Sequence, residues 1–161
     1  MNIVIANRQR TRKINARLLK EITEALLADL KIGEAELGIN LVTAREMALI
    51  NETFLQHEGS TDVITFDHSN PEARNKRRGV RLHGELFVCV DEAVSQSKKF
   101  KTTWQAEIVR YVVHGFLHLL GNDDLQATAR RKMKREENRR LARLAKKFSL
   151  AQIGGASKLR V

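Results

Sequence analysis

The chain has 161 residues, 42% of them hydrophobic, and a formal net charge of +10 at pH 7. These values favour one globular domain and argue against a membrane-spanning chain, because the longest nearly apolar run, Tyr111 to Leu120, is much shorter than the roughly 20 residues that a helical span needs. The N-terminus lacks a signal-peptide pattern and the single cysteine, Cys89, has no partner for an internal disulfide, so we expect a reducing, cytoplasmic location.

The net charge is concentrated near the C-terminus. Residues 127–161 contain twelve Lys or Arg and two Glu, whereas the first 126 residues contain seventeen charges of each sign. A neutral body with a basic C-terminal helix favours a polyanionic partner, above all nucleic acid. The alternative is a solvated helix face. A membrane-surface helix is disfavoured because the segment has no Trp and only one aromatic residue, Phe148.

Hydropathy patterns predict four strands and about five helices. In chain order they are a strand over residues 2–6, a helix over 14–30, a strand over 36–42, a helix over 43–54, strands over 61–66 and 83–90, and helices over 91–99, 103–120 and 127–147. Residues 67–81 are polar and basic and are typical of a loop.

This order of elements predicts an α/β (α+β) fold with a single domain, in which a mixed four-stranded sheet is packed with about five helices. The helix over 103–120 is the most apolar and should be central. We expect the domain to cover residues 1–148, followed by a basic, flexible C-terminal tail over 149–161.

The segment from His114 to Asp124 reads HGFLHLLGNDD. His114 and His118 are four residues apart, which puts both imidazoles on one helix face, one turn apart. Gly121 favours the end of the helix, and Asp124 could then turn back toward the histidines. Two His and one carboxylate, with a further position open to water, are typical of a catalytic zinc site. The alternative is a buried helix with two incidental histidines and a polar turn.

The spacing agrees with the metal positions of the zincin pattern H-E-x-x-H-x-x-G-x-x-H. Gly115 replaces the Glu that serves zincins as general base, and Asp124 replaces the third His. The pattern therefore predicts a metal site but does not support a peptidase mechanism.

The same segment resembles the H-G-x-L-H-L-x-G-Y-D-H signature of the YbeY family, which comprises bacterial endoribonucleases that act as rRNA maturation factors. Asn51 followed by TDVITF at residues 61–66 resembles the family's N…TDVLSF block, and GELFV at residues 84–88 resembles its G-D-I-x-I strand. The blocks agree in order and spacing over residues 2–145, so the resemblance covers nearly the whole predicted domain.

The resemblance implies that residues 1–148 form a YbeY-like metal-dependent RNase domain. It implies one Zn²⁺ per chain, held by His114, His118 and Asp124, and cleavage of single-stranded RNA. It also implies maturation of ribosomal RNA at the small-subunit 3′ end and ribosome quality control, with ribosomal RNA and the small ribosomal subunit as partners.

Three positions depart from the family pattern: Asp124 replaces the third His, Asn122 replaces the Tyr, and Leu55 replaces an Arg expected to contact phosphate. Asp is a competent zinc ligand, so metal binding should survive. His57, two residues after Leu55, could supply the missing charge or a proton, or it is a surface turn residue. The candidates for the general base are His57, Asp123 and a hydroxide on the metal, and the sequence does not choose between them.

Two basic segments are candidate RNA contacts, because Lys and Arg neutralise backbone phosphates. Their residues are Arg74, Lys76, Arg77, Arg78 and Arg81 in the loop and Arg130, Arg131, Lys134 and Arg135 in the last helix. The loop could equally be a solvated segment. Two other functions stay open: a non-catalytic RNA- or ribosome-binding factor with a structural zinc, and a metallohydrolase of another class, such as a peptidase. No membrane partner is expected.

Overall fold

The computed structural model describes residues 1–56, 59–70 and 80–155. Within these ranges the chain forms the four strands and five α-helices that the hydropathy pattern predicts. The strands are β1 (Asn2–Asn7), β2 (Ile32–Val42), β3 (Val63–Asp67) and β4 (Val80–Cys89). The helices are α1 (Ala16–Asp29), α2 (Ala44–Ile50), α3 (Val90–Phe100), α4 (Trp104–Leu119) and α5 (Ala127–Lys147). None of the helices in these ranges has the length and hydropathy to cross a membrane.

The sheet is mixed, and its strand order is β1–β2–β4–β3. β1 and β4 each pair with β2 in parallel, whereas β3 pairs with β4 in the antiparallel direction. α1 connects β1 to β2, since neighbouring parallel strands need a crossover segment. The inner strands supply much of the core: Ile39, Leu41, Leu86 and Val88 are all 0% exposed. The predicted mixed four-stranded sheet in a single α/β domain is confirmed.

Three helices begin at side chains that satisfy an otherwise free backbone N–H. Asn15 caps α1, Thr43 caps α2 and Thr103 caps α4, each by accepting a hydrogen bond from the backbone N–H three residues later, at 3.1, 3.3 and 3.2 Å respectively. These local signals explain why the predicted starts of the second and fourth helices agree with the structure.

Three boundaries differ from the prediction by more than two residues. β4 begins at Val80 rather than at residue 83, because Val80 and Arg81 pair with β2 and so belong to a strand instead of the predicted loop over 67–81. β2 begins at Ile32 rather than at residue 36, because Lys31 adopts a left-handed conformation with φ of 56° and the buried Ile32 then enters the sheet. The helix predicted over 43–54 ends at Ile50, and Asn51–Leu55 continue as a π-helical turn. The buried Asn51 amide donates to the carbonyl of Gly59 at 2.9 Å, which ties this turn to the segment before β3.

The segment after α5 packs on the rest of the domain, although it lies beyond the predicted domain boundary at residue 148. Leu150–Gly154 form a short 3₁₀ helix, and the side chain of Ile153 is 0% exposed within the main core. The carbonyl of Ile153 also accepts a hydrogen bond at 2.8 Å from the backbone N–H of Asn15, the residue just before α1. The expectation of a flexible tail therefore does not apply to residues 149–155, and residues 156–161 lie outside the described ranges.

α4 is the central helix, as its hydropathy predicts. It packs against α3 on one side, against α5 on another and against β3 and β4 of the sheet. The packing on the sheet is close at Gly115, where a Cβ atom would stand 2.6 Å from Cδ2 of the fully buried Leu86 and 3.2 Å from Cγ2 of Thr65. A larger side chain at this position would have to displace the buried side chain of Leu86.

We expect Gly115→Ala to lower the free energy of unfolding by about 1–3 kcal/mol, because the added methyl group overpacks the contact between α4 and β4. Chemical denaturation monitored by circular dichroism measures this loss. The matched control is Gly38→Ala in β2, where the added Cβ would meet the movable side chain of Glu85 at 3.3 Å. Equal stabilities of the two variants would contradict the close packing inferred at Gly115.

Candidate metal centre

The two histidines of α4 stand side by side on one face of the helix. Nε2 of His114 and Nε2 of His118 are 3.0 Å apart, and their ring centroids are 4.6 Å apart. Their side chains are 21% and 27% exposed, so the nitrogen pair is reached from solvent while the helix behind it is buried. The predicted spacing thus places both imidazole nitrogens where they could share one ion.

The turn after α4 returns the chain to these histidines. Gly121 has a φ of 99°, and its N–H donates to the carbonyl of His118 at 2.9 Å, while Asn122 N donates to the carbonyl of Leu117 at 3.0 Å. These two bonds form a Schellman motif, which requires the left-handed conformation that glycine adopts without strain. The Asn122 side chain adds a bond to the same Leu117 carbonyl at 3.1 Å.

Asp124 follows this turn, and its carboxylate faces both imidazoles. Its Oδ2 lies 3.8 Å from Nε2 of His114 and 3.7 Å from Nε2 of His118. A tetrahedral zinc with bonds of about 2.0–2.1 Å keeps its ligand atoms about 3.3–3.4 Å apart. The observed separations of 3.0, 3.7 and 3.8 Å bracket that value, so His114, His118 and Asp124 form a group that could hold a metal ion.

A carboxylate from α5 contacts the Nδ1 side of the His114 ring. Oε2 of Glu137 lies 3.3 Å from Nδ1 of His114, and its side chain is only 13% exposed. Burial lowers the pKa of His114, but the hydrogen bond to Glu137 and the charges of Glu137, Asp62 and Asp124 outweigh it, so the pKa lies above its usual value. A carboxylate on Nδ1 favours the tautomer that leaves Nε2 free to bind a metal.

Sequence reasoning missed Glu137, which lies 23 residues beyond His114. The available signal was that Glu136 and Glu137 are the two acidic residues in the otherwise basic segment 127–161. An isolated acid in a basic helix is a candidate for a specific pairing. Nothing local indicates which of the two faces α4.

A cavity of about 770 Å³ opens beside both histidines, and we call it the β3 cleft. The π-helical turn and residues 60–65 form its other walls, with Leu55 on one of them. Among the described residues that line this cleft there is neither Lys nor Arg. The replacement of an expected Arg by Leu55 thus leaves an apolar wall, with a side chain 43% exposed, on the cleft next to the metal group.

The other predicted site residues are placed as follows. Asp123 is exposed, and its carboxylate accepts a hydrogen bond from Leu125 N at 3.3 Å. Arg81 lies in β4 and pairs with Glu34 of β2 at 2.8 Å. His57, Arg74, Lys76, Arg77 and Arg78 lie outside the described residues. The catalytic and RNA-binding roles assigned to these residues stay predictions.

Two sets of cations in α5 differ in their surroundings. Arg140 and Arg143 each approach a carboxylate oxygen of Asp29 at 2.7 Å, and they hold α5 against the end of α1. Burial raises the pKa of Asp29, but the two guanidinium groups outweigh it and hold that pKa below its usual range. The four cations predicted to bind RNA are all exposed: Arg130, Arg131, Lys134 and Arg135.

The chain is similar to known proteins both in sequence and in fold. A sequence model described as "Endoribonuclease YbeY" matches residues 4–145. Curated relatives called endoribonuclease YbeY include one from Syntrophotalea carbinolica, 30% identical over 91% of this chain and 97% of its own length, and one from Salinibacter ruber, 30% identical over 81% and 84% respectively. A solution structure of a Thermotoga maritima protein matches with a TM-score of 0.65 at 20% identity, covering 100% of this chain and 99% of that one, which shows a shared fold.

We expect Glu137→Gln to weaken zinc binding by at least about 10-fold, because supporting carboxylates of this kind contribute that much to metal affinity. Competition against a chromophoric chelator measures the affinity. The control is Glu136→Gln, whose carboxylate pairs with Arg139 and Arg140 instead of with a histidine. If Glu137→Gln binds zinc as tightly as the wild type, Glu137 does not support the site.

Proposed function

Because the chain belongs to the endoribonuclease YbeY family, we propose that it is a zinc-dependent endoribonuclease that cuts single-stranded RNA. The observation that carries the proposal is the group formed by His114, His118 and Asp124 beside the open β3 cleft. Two imidazoles and one carboxylate are a ligand set typical of catalytic zinc, whereas structural zinc sites are usually closed and rich in cysteine. The single cysteine, Cys89, is buried within the smaller cluster of the core.

The chain's own residues would hold the ion and orient it. His114, His118 and Asp124 supply the ligand atoms, and Glu137 holds the ring of His114. When bound, zinc supplies Lewis acidity to a phosphoryl oxygen and lowers the pKa of a water molecule. Gly115 stands where zincins carry the general base, and it has no side chain to serve as one. We therefore retain as proposed proton acceptors Asp123, which precedes Asp124, and His57, which lies two residues after the cleft residue Leu55.

The natural substrate that we propose is ribosomal RNA, with maturation of the small-subunit 3′ end and ribosome quality control as the cellular roles. The exposed cations of α5 support an RNA substrate. Arg140 and Arg143 pair with Asp29 and so have a structural role, whereas four other cations are exposed: Arg130, Arg131, Lys134 and Arg135. Binding through such cations weakens steeply with rising salt. With a ribosomal substrate, the location that we propose is the cytoplasm of a bacterium.

A non-catalytic RNA- or ribosome-binding protein is the second candidate. The observation that favours it is Leu55, which leaves the described part of the β3 cleft without a cation for a phosphate. In that case the zinc would have a structural role. A peptidase is disfavoured because Gly115 replaces the base that zincins need.

The test uses a fluorescently labelled single-stranded RNA from the small-subunit 3′ end, incubated with the zinc-loaded protein. We expect the wild type to cut this RNA, and His118→Ala and Asp124→Ala to lose at least about 100-fold in rate, because each removes a metal ligand. The matched control is His83→Ala, which removes an exposed histidine from the sheet.

Each outcome separates the candidates. Circular dichroism establishes that every variant is folded, and the same RNA annealed to its complement tests strand specificity. If wild type and ligand variants bind RNA equally and none cuts it, the non-catalytic candidate replaces the endonuclease. If the zinc-loaded protein cuts casein but not RNA, both RNA-based candidates fail.

A further inference from the structure

A second cavity, of about 410 Å³, lies between α3, α4 and α5, and His114 lines both this cavity and the β3 cleft. We call it the α5 pocket. Its volume is within the range of about 300–1,000 Å³ that is typical of small-ligand sites. A ligand in the α5 pocket would therefore contact the same histidine that is proposed to hold the metal.

The charges of the α5 pocket do not suit a phosphate group. Among the described residues, three carboxylates line it, those of Asp62, Glu107 and Glu137, against two cations, Arg110 and Lys134. Arg110 already donates to the side chain of Asn138 at 2.8 Å. The negative charge of these carboxylates repels a phosphate group. Their oxygens can nevertheless accept hydrogen bonds from the amino group of a neutral ring.

Tyr111 adds a polar group that needs a partner. The residue lines the α5 pocket and is 4% exposed, and its hydroxyl is buried with no hydrogen-bond partner among the described residues. Buried hydroxyl groups in folded proteins nearly always have a partner. Because the hydroxyl itself has almost no accessible surface, a ligand in the α5 pocket would bond to it only after a small movement of the neighbouring side chains.

Phe100 supplies an aromatic surface at the same pocket. Its side chain is 61% exposed although it belongs to a helix whose other face is buried, and Nζ of Lys99 lies 5.4 Å from the ring centroid. Exposed aromatic rings beside basic residues are the usual stacking surfaces for unpaired bases. The α5 pocket thus combines a stacking ring, hydrogen-bond acceptors and one unsatisfied hydroxyl.

We propose that the α5 pocket binds the unstacked base of a nucleotide next to the cleaved phosphate, with a preference for bases that carry an exocyclic amino group. This inference rests on the proposed function, because the position of the base is defined relative to the metal group. Phe100 stacks on the base, Tyr111 bonds to its edge and the carboxylates accept from the amino group. Adenine, cytosine and guanine carry that group, whereas uracil presents carbonyl oxygens instead.

The experiment has two measurements on the wild type, Phe100→Ala and Tyr111→Phe. The first is binding of AMP, CMP, GMP and UMP to the metal-free protein, followed by nuclear magnetic resonance. The second is the base composition next to the cut sites in a random-sequence single-stranded RNA treated with the zinc-loaded protein. The matched control is Phe54→Ala, whose phenylalanine is 65% exposed on the π-helical turn and does not line the α5 pocket.

We expect UMP to bind the wild type more weakly than the other three nucleotides. Phe100→Ala should weaken binding of those three by about 5- to 100-fold, as loss of a stacking ring does, and Tyr111→Phe by about 2- to 10-fold, as loss of one neutral hydrogen bond does. In the RNA experiment both variants should lose the bias against uracil at one position beside the cut. Tyr111→Phe should melt at or above the wild-type temperature, because its hydroxyl has no partner to lose among the described residues.

Failures of the two proposals are distinguishable. If the wild type cuts RNA but nucleotide binding and cut-site bias are the same in wild type, Phe100→Ala and Tyr111→Phe, the base site is overturned and the endonuclease stands. If nucleotides bind as expected and the variants weaken them, but no RNA is cut, the base site stands and the endonuclease is overturned. Binding that falls equally in Phe54→Ala also overturns the assignment of the base to the α5 pocket.

Discussion

The close contact between α4 and β4 at Gly115 determines the arrangement of the candidate site. A Cβ atom there would stand 2.6 Å from the buried Leu86, so any other residue would force this side chain or the helix to move. The contact holds α4 in the centre of the domain, and His114 and His118 then face the groove between the helix and the segment before β3. The same contact occupies the position that a zincin uses for its base, so a base of the zincin type has no place in this helix.

The basic helix α5 combines two kinds of electrostatic interaction. Arg140 and Arg143 pair with Asp29 and hold the helix against α1, whereas Glu137 pairs with His114 and links the helix to the candidate metal group. These contacts place Lys134, one turn before Glu137, at the α5 pocket. This strongly basic helix thus has ion pairs with α1 and α4 toward its middle and end, and exposed cations in its first half.

Much of the fold and the three metal-ligand candidates could be predicted because their signals are local. Thr43 and Thr103 mark helix starts, and Gly121 marks the turn that returns Asp124 to the histidines. The rest depends on contacts between distant segments. Glu137 meets His114 only because α5 packs on α4, and Ile153 is buried only because the C-terminal turn packs near the start of α1. Hydropathy periods carry no information on such pairings, which also explains why the π-helical turn at Asn51–Leu55 was predicted as ordinary helix.

We propose that His114, His118 and Asp124 together bind one zinc ion. Native mass spectrometry of the purified wild type, Asp124→Ala and Asp123→Ala, after exposure to equal zinc, measures this binding. We expect about one zinc per chain in the wild type and in Asp123→Ala, whose exposed carboxylate accepts a hydrogen bond from Leu125 N, and little or none in Asp124→Ala. Equal zinc in both variants, or none in the wild type, would contradict it.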